Sequence, residues 1–93
     1  MILVTATAPV KPETRDEMMQ AASDVQNATR KEAGCIAYTF HTQVEDPNVF
    51  FVFEKWESMD HLKAHSVSDH MKAYGAKNKD LVANRAVHVL QNA

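Results

Sequence analysis

Five consecutive apolar residues, Val49-Phe50-Phe51-Val52-Phe53, constrain this chain more than any other feature. Successive side chains on a strand point to opposite faces. An antiparallel sheet with one wet face therefore alternates apolar with polar. This segment does not alternate, so it needs cover on both faces. The helices available in 93 residues can cover one of them. An open patch of Phe and Val is an aggregation hazard. The second face thus calls for a second copy of the chain, packed sheet against sheet with two-fold symmetry. The expectation is an obligate homodimer.

The remaining elements follow from spacing and punctuation. Ile2 to Ala8 reads as a strand, broken by Pro9 and Pro12. Thr14-Arg15-Asp16-Glu17 has the pattern of a capping box. Met18, Ala22, Val25 and Ala28 then mark one helical face, and Gly34 suits the position after the helix, which predicts a helix over 14–33. Met18, Met19 and Met71 read as core gap-fillers. Cys35 to Val44 alternates, with Ile36, Tyr38, Phe40, Thr42 and Val44 on one face. Glu45-Asp46-Pro47-Asn48 is a turn, so Val49 to Trp56 completes a hairpin. Ser58 caps a short helix holding Met59, Leu62 and His65. Ser68 caps another, whose inner stripe is Met71, Tyr74, Asn78 and Leu81. Arg85 to Gln91 is the last strand, with Val87, Val89 and Leu90. The order β-α-β-β-α-β is the ferredoxin-like split βαβ arrangement, an α+β sandwich with one antiparallel sheet. Residues 1–93 form a single domain.

Charge and composition exclude several functions. Lys plus Arg number 10 against 12 Asp plus Glu, a net charge of −2, so the basic excess of a nucleic-acid binder is missing. No apolar run approaches the ~20 residues that span a bilayer. The N-terminus lacks the pattern of a secretory signal. Cys35 is the single cysteine, which rules out an internal disulfide and fits a reducing cytoplasm. No Gly-rich phosphate loop and no Ser-His-Asp arrangement stands out.

Chemistry concentrates between residues 54 and 74. Glu54 and Trp56 share a strand face with Phe50 and Val52. A carboxylate rising from an apolar wall has its pKa raised by desolvation, which suits it to proton transfer. His61, His65 and His70 lie close by, and imidazole is the natural proton acceptor near neutral pH. His61 and His65 are four apart, a spacing that can bind zinc, but no cysteine accompanies them and no metal site is expected. The bland alternatives stay open. Glu54 can pair with a lysine, Trp56 can be core, and His70 can do no more than bond the turn before its helix.

The run Phe53-Glu54-Lys55-Trp56-Glu57-Ser58, followed by Leu62, His65, Ser68, His70, Met71, Lys72 and Tyr74, resembles the antibiotic biosynthesis monooxygenase superfamily, in particular its small quinol-monooxygenase-like members. Glu32-Ala33-Gly34-Cys35, Tyr38 and the terminal Val89-Leu90-Gln91 match as well. Ser68-Asp69 stands where Thr-Pro is usual, which keeps the cap but loses the proline. The strand Asn of polyketide and haem-degrading relatives is not evident, and the His of haem-degrading members sits at a different distance from the Trp; both departures weaken a haem reading. The resemblance implies a dimeric α+β barrel with a pocket between each sheet and its helices. It also implies oxidation of a quinol or hydroxylated aromatic by O₂ without metal, flavin or other cofactor. Trp56 matches the pocket tryptophan, Glu54 the strand carboxylate, and His65 and His70 the helical histidines. On this basis His65, Glu54 and Trp56 are the expected catalytic set, with His65 as base. His70, Tyr74, Phe50 and Val52 are the expected substrate contacts. Relatives in the superfamily leave two alternatives: an isomerase of a small hydroxy-carbonyl compound, and a non-catalytic dimeric ligand-binding or stress module.

Overall fold

The computed structural model describes residues 1–82, and the backbone alone of residues 86–91. Its elements are β1 (Ile2–Pro9), a 3-10 turn (Pro12–Thr14), α1 (Arg15–Thr29), β2 (Cys35–Thr42), β3 (Val49–Trp56), α2 (Met59–Ser66), α3 (Asp69–Leu81) and β4 (Ala86–Gln91). The four strands form one antiparallel sheet in the order β2-β3-β1-β4. This is the expected ferredoxin-like α+β fold.

β3 runs through the sheet interior, paired with β1 on one side and β2 on the other. Phe50, Val52, Glu54 and Trp56 are buried, while Val49, Phe51, Phe53 and Lys55 on the opposite face are half-buried. Trp56, Tyr38, Val25 and Val52 pack in one part of the core, and Met18, Phe50, Ala22 and Leu81 in another. Burying a Val, Leu, Phe or Met among these contributes ~1.5–3 kcal/mol each.

Several boundaries differ from expectation, each for a local reason. α1 stops at Thr29 and does not reach residue 33. Beyond it Lys31 N donates to Ala28 O and Glu32 N to Thr29 O, so the last turns tighten to three-residue spacing. Gly34, at φ 78°, then reverses the chain into β2. Thr14 forms no capping box. Its hydroxyl donates to Lys11 O and Leu81 O, tying the start of α1 to the end of α3. Asp16 and Glu17 still favour the first turn through the helix dipole. Ser58 caps α2 as expected, accepting from His61 N, whereas the Ser68 hydroxyl donates backward to His65 O.

β2 carries a bulge between Cys35 and Ala37. The extra residue, Ile36, leaves the expected apolar face and is 47% exposed. Cys35 thereby faces Trp56, and Tyr38 faces Glu54. Val44 lies beyond the strand and is fully exposed, and Met19 is 42% exposed while Met18 is buried. The last strand was expected from Arg85, which lies outside the described residues.

Candidate functional site

The helix-facing side of the sheet and the inner faces of α2 and α3 enclose a cavity of about 220 Å³. Val4, Ala6 and Ala8 of β1, Phe40 of β2, and Phe50 and Val52 of β3 form its apolar wall. Glu54, His65, Ser66, Tyr38 and Tyr74 supply its polar atoms. Among the described residues no Lys or Arg lines it.

Glu54 is 6% exposed. Burial pushes its carboxyl above the ordinary range, against the hydrogen bond from Trp56 and the nearby His65 imidazole. Trp56 Nε1 donates to Glu54 Oε1 at 3.0 Å. The two-residue spacing on β3 makes this contact possible, because both side chains leave the same face. Trp56 itself is fully buried and does not line the cavity. Its ring packs on that of His65, with centroids 4.7 Å apart. The tryptophan expected in the pocket wall therefore stands behind it and holds two residues that do line it.

His65, on α2, is 2% exposed. Its Nδ1 lies 2.6 Å from Glu32 Oε2, and the same oxygen lies 2.8 Å from His70 Nε2. A carboxylate only accepts hydrogen bonds, so with Glu32 ionised both of these imidazole nitrogens carry protons. In neutral His65 the lone pair is then on Nε2. That atom is buried, has no hydrogen-bond partner among the described residues, and sits 3.9 Å from Glu54 Oε1. Side-chain exposure rises along the series, from 3% at His65 to 17% at Glu32 and 27% at His70.

Glu32 is the residue that sequence reasoning passed over. A helix running to residue 33 would have made it one more helical acid; the tightened turn and Gly34 instead aim it at α2 and α3. The one signal pointing to it was its presence in the resembling Glu32-Ala33-Gly34-Cys35 run. His70, expected to touch substrate, does not line this cavity: its Nε2 meets Glu32 Oε2 and Ser68 Oγ, and the residue lines a second cavity between α1 and α3 instead. His61 does not converge with His65: its Nδ1 meets Ser58 Oγ at 2.7 Å, and its ring packs beneath Gly34. Cys35 is not activated, since burial first, then the Glu32 and Glu54 charges, push its thiol up.

Residues 1–77 match the model of the family described as antibiotic biosynthesis monooxygenase. The chain belongs to that family. YcnE of Bacillus subtilis strain 168, provisionally named a monooxygenase, is 32% identical over 89% of this chain and 87% of its own. YgiN of Escherichia coli K12, named a probable quinol monooxygenase, is 29% identical over 98% of this chain and 97% of its own. A conserved protein from Methanosarcina mazei Go1 superposes with a TM-score of 0.95 at 28% identity, covering 99% of this chain and 92% of its own. No described helix is long and apolar enough to cross a membrane.

Proposed function

We propose that this monooxygenase-family protein oxidises a neutral, single-ring quinol or hydroxylated aromatic with O₂, needing no cofactor because the substrate anion is itself the electron donor. The observation that carries this is the Glu32–His65 pair at 2.6 Å, with His65 lining the cavity and its Nε2 buried and unpartnered among the described residues. Glu32 fixes the tautomer that leaves Nε2 basic. Nε2 takes the substrate hydroxyl proton as the general base. The apolar wall orients the ring, and desolvation strengthens the electrostatics around it. The phenolate passes one electron to O₂; the resulting radical pair joins by a C–O bond. Loss of water from the hydroperoxide leaves a hydroxylated quinone, so one oxygen atom enters the product and one leaves as water. Glu54, held by Trp56, lies beside Nε2, stabilises the protonated imidazole and can return the proton.

The cavity size supports a single ring, since an apolar cavity of ~150 Å³ already admits benzene. The lack of Lys or Arg among the described lining residues, with Glu54 on the wall, argues for a neutral substrate over a phosphorylated one. Val49, Phe51 and Phe53 present an apolar face of the sheet opposite the helices, and we assign it to a second copy of the chain, forming a dimeric α+β barrel.

O₂ uptake by metal-stripped protein with a panel of substituted hydroquinones tests the activity. Uptake well above autoxidation, lost in His65→Ala, is the expected result. Uptake equal to autoxidation across the panel would sink it, and turnover of a hydroxy-carbonyl compound without O₂ would favour an isomerase.

A further inference from the structure

Glu32, His65 and His70 come from three separate segments: the turn after α1, the inner face of α2 and the first turn of α3. One oxygen and two imidazole nitrogens from these residues lie within 4.8 Å of one another. Two imidazoles and one carboxylate make a donor set that suits divalent zinc and its first-row neighbours. An ion with bonds of ~2.0–2.2 Å would need only small side-chain rotations to separate the three donors. Both imidazoles now share a single carboxylate oxygen, so the ion would take the place of the two bridging protons.

A second observation bears on the same site. His65 Nε2 is buried without a hydrogen-bond partner among the described residues. A metal on Nδ1 of a neutral imidazole places the proton on Nε2. Glu54 Oε1, 3.9 Å away in the present arrangement, would then face it as an acceptor. A carboxylate behind a metal-bound histidine is a recurrent supporting contact that orients the ring. Trp56, donating to that same Glu54 oxygen, holds it in place.

We propose that Glu32 Oε2, His65 Nδ1 and His70 Nε2 form a binding site for a divalent transition metal, and that occupancy converts His65 Nε2 from proton acceptor to proton donor. The metal site stands on its own geometry; the conversion rests on the reading of His65 as base. In that state the protein could not deprotonate a quinol through Nε2, so the ion acts as an off-switch.

Calorimetric titration of metal-stripped full-length protein with zinc chloride tests the site. The expected result is one zinc per chain with micromolar or tighter affinity, weakened at least roughly tenfold in Glu32→Gln and in His70→Gln. His61→Ala should bind as the unaltered protein does. Circular dichroism verifies that each variant is folded, and a cobalt absorption spectrum reports imidazole ligation without reference to activity. Millimolar binding, or equal affinity in Glu32→Gln, His70→Gln and the unaltered protein, would overturn the site. Imidazole nitrogen NMR reads the conversion: zinc should move the His65 proton from Nδ1 to Nε2, and an unmoved proton would overturn the switch. Zinc binding without any metal-free quinol oxidation would overturn the base assignment and the switch, but support the metal site.

Discussion

Glu32 and His65 are 33 residues apart in sequence, yet Glu32 Oε2 and His65 Nδ1 lie 2.6 Å apart in the folded chain. The contact is nearly shielded from solvent, which makes the hydrogen bond stronger than it would be at the surface. Among the described residues it is the interaction that decides which face of the imidazole can accept a proton.

Removing the base and removing its orienting carboxylate should have different signatures. His65→Ala is expected to lower quinol-dependent O₂ uptake by about 10²–10⁴. Glu32→Gln should lower it less, since the imidazole survives and only its tautomer is released. Steady-state kinetics check this, with the loss expected in kcat and little change in KM. A Glu32→Gln enzyme with full kcat would show that the pair is structural.

Glu54 gives a pH dependence of stability with a definite sign. Burial raises its carboxyl pKa in the folded chain above the ordinary value. Between those two values the native state holds a proton that the unfolded chain has released, so stability falls as pH rises through the window. Glu54→Gln, which cannot ionise, should raise Tm at neutral pH, by about 4–8 °C for each kcal/mol relieved. The advantage should vanish below about pH 4, where both states are protonated. Thermal melts of metal-free protein at matched concentration test it, and a variant less stable at every pH would contradict it.

Gly34 sits at φ 78°, and a methyl group there would collide with the His61 ring. Gly34→Ala should destabilise the fold by at least about 1–2 kcal/mol from the backbone conformation alone. The same shift would pull Glu32 from His65, so the melt and the turnover should fall together. Unchanged stability would show that the turn can be rebuilt without strain.

The open face of the sheet predicts assembly. Phe51→Glu with Phe53→Glu should shift the sedimenting species from twice 10.4 kDa to 10.4 kDa. A single-chain particle for the unaltered protein at micromolar concentration would remove the barrel from consideration.

How much of this was legible in the sequence depended on range. Glu54, Trp56, Phe50 and Val52 were placed on one face correctly, because period two is a covalent property of a strand. Ser58 was legible as a cap for the same local reason. Ile36 was misplaced because a bulge depends on how β2 pairs with β3, not on β2 alone. Trp56 was expected against the substrate. It lies behind the cavity because the His65 ring covers it, a contact made across two elements.

The amino-acid sequence by itself determined the order of elements, the buried face of β3 and the apolar character of the cavity wall. These rest on alternation, helical spacing and turn residues, all of which act over a few positions. Tertiary structure alone decided that Glu32, rather than His61 or Cys35, would meet His65 and His70. That choice depends on the tightened end of α1, the reversal at Gly34 and the packing of α2 and α3 on the sheet. Convergence of side chains over 33 residues is a consequence of packing, and no local pattern encodes it.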